Sequence, residues 1–249
     1  MQPWRHRRVV AMTSGGSSAF SPASIAGLQL WLDASQIVGL NDGDAVGTWS
    51  DLSGNGNDAT QATASKKPTF QTNEQNGKPG VQGDGVDDVL DFASSVVPTS
   101  NFTIYFVAKL TSGANTVRWM GNANGGSSDG FIMISLAGEA MKYWILRRSA
   151  GGGADITLAG TQAVGTTYCN TLTLSGSGST GYVNGVSDGT SACTQIGSSG
   201  NNLQLFNDGA STGASFAPLL IFEVLVYNTA HDAGQRSLVH GYLQAKWGY

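Results

Sequence analysis

The 249-residue sequence is 40% hydrophobic and only 12% charged, the opposite of a disordered balance, so a packed core is expected. Its 35 glycines follow no period of three, which excludes a collagen-like chain and marks turns between many short strands. Of 13 basic residues three (Arg5, Arg7, Arg8) lie in an acid-free stretch at residues 1–20, leaving ten against 17 acidic residues, a body too acidic for a general nucleic-acid binder.

Residues 1–20 are basic, then Gly/Ser-rich, and read as an extended arm, with residues 21–249 as one domain. Val9–Met12 is too short for a signal-peptide core, and no apolar run approaches the ~20 residues of a membrane span. Ser21-Pro22 is a helix-start signal. Leu28 to Leu32 reads as a strand with Leu28, Leu30 and Leu32 on one face. Residues 41–80 are dense in Asn, Asp and Gly and predict loops. Strand signals follow at 102–107, 131–134, 141–145, 171–174, 180–183, 203–206 and 219–227. Asn184-Gly185 predicts a type I′ hairpin turn. One helix closes the chain, with Asp232 and Gln235 as a capping box and Leu238, Val239, Tyr242 and Leu243 on one face. Trp247 is expected to pack the end of this helix on the strands. Cys169 and Cys193 are either a pair or two small buried hydrophobes.

Seven strings, in order, carry a resemblance: LWLDAS (30–35), TWSDLSGNGNDATQ (48–61), DGVDD (84–88), FTIYFVAK (102–109), GYVNG (181–185), FEVLVYN (222–228) and KWGY (246–249). Together they resemble the concanavalin-A-like, laminin-G-like jelly rolls of bacterial surface proteins and phage genomes, over roughly residues 25–249. The resemblance implies an all-β, two-sheet antiparallel jelly-roll sandwich with one short C-terminal helix behind an N-terminal extended arm. Two positions depart from the pattern. Gly83 stands where an apolar residue often precedes Asp-Gly, and His231 replaces the hydrophobic residue that would staple the helix start, which predicts a weakened staple.

The resemblance also admits glycan-active enzymes, but the residues argue against one. The paired-carboxylate string E-x-D-x-x-E of such hydrolases is missing, and Glu74, Glu139 and Glu223 lie far apart in sequence. His6, His231 and His240 are the histidines available as a base. The expectation is therefore no catalysis. Laminin-G-like relatives often carry calcium, so two acidic groups are candidate oxygen ligands: Asp84, Asp87 and Asp88, or Asp51 with Asn55. The competing reading makes Asp84-Gly85 a turn and Asp87 a cap for local amides. Trp119, followed by the Gly/Asn loop with Asn122 and Asn124, is a candidate glycan contact at a groove rim. Trp4, Arg5, Arg7 and Arg8 are candidate docking residues for a protein partner. The combination predicts a non-catalytic virion structural or decoration protein, anchored by its arm with the sandwich displayed on the particle. The alternative is a lectin-like, carbohydrate-binding module at the cell surface or outside the cell. A polysaccharide-active enzyme is the minor alternative.

Overall fold

A computed structural model of the chain describes residues 20–113, 115–123, 129–136, 141–147, 154–160, 162–207 and 215–249. The arm residues Trp4, Arg5, Arg7 and Arg8, and Asn124, lie outside the described residues.

Two antiparallel sheets face each other. The first runs Val186–Ser191, Gly178–Val183, Thr167–Ser175, Phe102–Leu110, Leu219–Tyr227, Lys78–Gln82, Thr69–Gln75, with Leu28–Asp33 also paired to Leu219–Tyr227. The second runs Ala154–Thr157, Met141–Arg147, Gly130–Ser135, Val117–Gly121, Gln204–Leu205, Leu90–Asp91, Ala59–Thr60, Thr48–Trp49. This is the expected sandwich. Its main core lies between the sheets and is built from alternate residues of each strand, such as Leu172 and Leu174 against Trp144 and Ile156. Trp49, Trp119, Trp144, Phe102 and Phe131 are fully buried there.

A second core lies on the outer face of the first sheet, under the helix Ala233–Trp247. Leu219–Tyr227 is buried along its whole length because both its faces are covered. The helix begins with the expected capping box: Asp232 accepts from the Gln235 amide, and the Gln235 side chain accepts from the Asp232 amide. Val239, Leu243 and Trp247, four residues apart, face the sheet. Leu238 was expected among them but is 54% exposed, since it lies about 100° round the helix from Val239.

Two further expectations change, and the alternative left open for the cysteines is decided. A register shift between Leu28 and Leu30 turns Leu28 to the helix-side core, while Leu30 and Leu32 enter the inter-sheet core. Cys169 lies in the helix-side core and Cys193 between the sheets, so the two are free and buried. His231 does not weaken the helix entry. Its ring packs 4.2 Å from that of Tyr227, its Nδ1 meets the Tyr105 hydroxyl at 2.9 Å, and its amide donates to Thr103 Oγ1. The departure at Gly83 has a steric cause, because a Cβ there would lie 2.5 Å from the Phe206 ring. Asn184 and Gly185 both take positive φ, as a type I′ turn requires, and join Gly178–Val183 to Val186–Ser191.

Candidate functional site

Each predicted site residue among those described has a definite place. Trp119 is fully buried and packs on Phe106 at 6.1 Å, so it offers no face to a ligand; strand alternation points it inward. Asn122 is buried too, and its Oδ1 accepts from the Phe131 amide. These two are framework residues, which corrects the expectation of a groove rim.

Asp51 is also structural. Its Oδ1 accepts from the amides of Trp31 and Ser53, and its Oδ2 accepts from the amide of Asn57 and the hydroxyl of Ser53. Asn55 donates its side-chain amide to the carbonyls of Leu28 and Gln29. The 51–58 loop is thereby fastened to the strand Leu28–Asp33. With both carboxylate oxygens doubly engaged, Asp51 has no lone pair left for a hard cation.

Asp84, Asp87 and Asp88 do converge, with one carboxylate oxygen of each within 4.8 Å of the others. Asp84, not Asp87, is the local cap: its Oδ1 accepts from the amides of Val86, Asp87 and Asp88, and Asp88 Oδ2 accepts from the Asp84 amide. Burial, then the neighbouring charges of Asp84 and Asp87, push the Asp88 carboxyl up to about 6, against the pull of the Asp84 amide. Asp84 Oδ2, both oxygens of Asp87 and Asp88 Oδ1 accept none of these bonds.

Two arrangements on the outer face of the first sheet escaped the sequence reading. One is a buried charge cluster under the end of the helix. Lys246 Nζ pairs with Asp33 Oδ2 and, at 2.9 Å, with Glu223 Oε2. Glu223 also accepts from Trp31 Nε1, Tyr242 Oη and Trp247 Nε1 at 2.7–2.9 Å. Burial and the Asp33 charge raise the Glu223 carboxyl, against the lowering pull of Lys246. Its signal in sequence is a single acid inside a nine-residue apolar strand, LLIFEVLVY.

The other is a groove of about 540 Å³ at the start of the helix. Its floor comes from alternation. In Thr167–Ser175 the residues Thr171, Thr173 and Ser175 face outward while Leu172 and Leu174 face the core. Cross-strand pairing sets Thr173 opposite Thr180, and Thr180 opposite Thr190, a row of threonines across three strands. Thr171 stands opposite Tyr182 in the adjoining row. The wall is Ala230, His231 and Arg236. Arg236 lies 4.5 Å above the Tyr182 ring and donates to the His231 carbonyl at 2.6 Å. His231 Nε2 and Thr173 Oγ1 are buried with no hydrogen-bond partner among the described residues. Such atoms cost about 1–3 kcal/mol each unless something bonds them. Burial pushes His231 down to about 4, so its ring is neutral near pH 7.

These features define an antiparallel sandwich with a helix-backed outer face and a polar groove beside the helix start. A family model matches residues 84–235, and the chain belongs to the concanavalin A-like lectin/glucanases superfamily. Among solved structures it is similar to a Trypanosoma rangeli sialidase in complex with 2,3-difluorosialic acid, with 16% identity and a TM-score of 0.61 over 96% of this chain and 35% of that one. It is likewise similar to the binding domain of Paraclostridial Mosquitocidal Protein 1 (13%, TM-score 0.65, 87% of this chain and 52% of that one). The botulinum neurotoxin type G receptor binding domain gives 13%, TM-score 0.62, with 87% and 51% covered. The chain thus spans between a third and about half of these proteins, and at such identities the likeness establishes the fold alone. No curated protein sequence matches. Among the described residues, no helix is long and apolar enough to cross a membrane.

Proposed function

We propose that this domain is a non-catalytic recognition module that holds a hydroxyl-rich ligand, of the kind a carbohydrate presents, in the groove at the helix start. One observation carries the reading: the threonine row beside two buried, unpartnered polar atoms, His231 Nε2 and Thr173 Oγ1. Sugar hydroxyls both donate and accept, and so suit a floor made of hydroxyls. The volume lies within the range of small-ligand sites. The two similar binding-domain structures support recognition as the role.

The state of the acid–base groups supports the absence of catalysis. His231 and His240, both held down to about 4 by burial, are weak bases at neutral pH. Both ring nitrogens of His240 are engaged, by Thr171 and Tyr249. Asp33 and Glu223, the buried acids that come together, are tied to Lys246 beneath the helix.

The proposal places the sandwich on a virion surface, or alternatively on a cell surface, with residues 1–20 as anchor on a neighbouring protein. Its support is the basic Trp4–Arg8 stretch on an otherwise acidic chain. Calcium at Asp84, Asp87 and Asp88 is part of the same proposal, as a support for the loop.

The test is a titration of the ¹⁵N-labelled domain with an oligosaccharide panel. Amide shifts clustered at Thr173, Thr180, Thr190 and Arg236, with no product formed, are expected. Submillimolar binding elsewhere on the domain, no binding at all, or released reducing sugar would each overturn the reading. Deleting residues 1–20 should leave a folded domain that no longer joins its assembly; normal co-assembly removes the anchor.

A further inference from the structure

The groove contains one charged side chain, and its setting goes further than a general preference for hydroxyls. Arg236 lines the groove, and among the described residues no Asp or Glu does. No carboxylate pairs with Arg236 among the described residues. Asp232, one helical turn before it, is held by the Gln235 amide as the helix cap. Of the five guanidinium N–H groups one is committed, to the His231 carbonyl at 2.6 Å. That bond and the Tyr182 ring beneath fix the plane of the group, so its remaining donors are oriented before any ligand arrives. Across the groove stand Thr180 and Thr190, and beneath its lining lie the buried, unpartnered Thr173 Oγ1 and His231 Nε2.

We infer that the groove takes a sugar residue carrying an anionic substituent, a carboxylate or a sulfate ester, with Arg236 as the anion contact. The inference rests on the reading of the groove as a glycan site. A planar guanidinium matches two oxygens of either anion at once, and charge-assisted bonds of this kind are roughly twice as strong as neutral ones. The neighbouring ring hydroxyls then fall to the accessible hydroxyls of Thr180 and Thr190. A neutral sugar would fill the same space while leaving the oriented donors of Arg236 to water.

The experiment compares three probes by calorimetry: oligogalacturonate, the same oligomer fully methyl-esterified, and a sulfated galactan oligomer. The free acid should bind roughly tenfold more tightly than the ester, with an advantage that shrinks as salt rises. Stronger binding of the sulfated oligomer than of the free acid would assign the anion as sulfate; the reverse order assigns carboxylate. Arg236→Gln should equalise acid and ester. Thr190→Asp, at an exposed position of the groove floor, should weaken the free acid more than the ester and so reverse their order. Equal binding of all three probes to the native domain, or an acid preference that survives Arg236→Gln, overturns the inference while the glycan reading stands. No binding of any probe by a domain with a normal melting curve overturns both.

Discussion

The two ends of the C-terminal helix rest on the same sheet and treat polar groups in opposite ways. At the end near Trp247, every oxygen of the Glu223 carboxylate has a donor, and the one ammonium of Lys246 bridges Asp33 and Glu223. At the start, His231 and Thr173 each keep a buried polar atom without a partner, and Arg236 has no counter-charge among the described residues. The first end is a fastening and the second an opening. Burial alone would have ranked them alike; the accounting of hydrogen bonds separates them.

Breaking the fastening should have the largest effect. Lys246→Met leaves two buried carboxylates without their cation and should cost about 3–5 kcal/mol in denaturant unfolding. A loss below about 1 kcal/mol would mean that the pair is hydrated and contributes as a surface bridge does.

Acid should act next, through His231 and His240. Both have folded-state values depressed to about 4 from an ordinary 6.5. Their contribution to stability is complete above pH 6.5 and is lost as pH falls towards 4. Replacing both with Gln should flatten the melting temperature over that window. An unchanged slope would show that the rings are already hydrated.

Asp88 should act in the reverse sense and more weakly. Its folded-state value is raised, to about 6 from 3.8, so in chelator its contribution is complete below pH 3.8 and is lost as pH rises through 6. Asp88→Asn should remove that slope. Calcium should suppress it and raise the melting temperature, since a ligand of the native state alone stabilises by mass action; identical curves in calcium and chelator remove the ion from the proposal. The smallest change sharpens the comparison at the opening. Thr173→Val replaces an unpartnered hydroxyl with a methyl, and should raise stability by about 1 kcal/mol while weakening glycan binding. A loss of stability would mean that the hydroxyl is bonded in solution.

Much of the fold was legible because it follows local signals. Runs of aromatic and branched aliphatic residues mark the strands at 102–107, 131–134 and 219–227, and Asn184-Gly185 and Asp232–Gln235 fix a turn and a helix start through local chemistry. The site was not legible in the same way. Trp119 was chosen for its neighbours in sequence, but strand parity buries it. The threonine row needs the register of three strands, which no single segment encodes. The orphaned Nε2 of His231 depends on Tyr105 engaging the other ring nitrogen, Nδ1, a contact across 126 residues. Glu223 was visible as an acid inside an apolar run, yet its partners Asp33 and Lys246 come from opposite ends of the domain.

That last separation has a kinetic meaning. Trp31 and Glu223, joined by a hydrogen bond, are 192 residues apart, and their strands are neighbours in the sheet. During synthesis the apolar strand Phe102–Leu110 must wait for Leu219–Tyr227 before one of its edges is paired. Loops of this length close slowly, and a β-sandwich dominated by such pairings folds on the millisecond-to-second scale. The interval in which a buried strand is still open is therefore set by the topology of one sheet, and it is the interval in which this chain is exposed to association with its own copies.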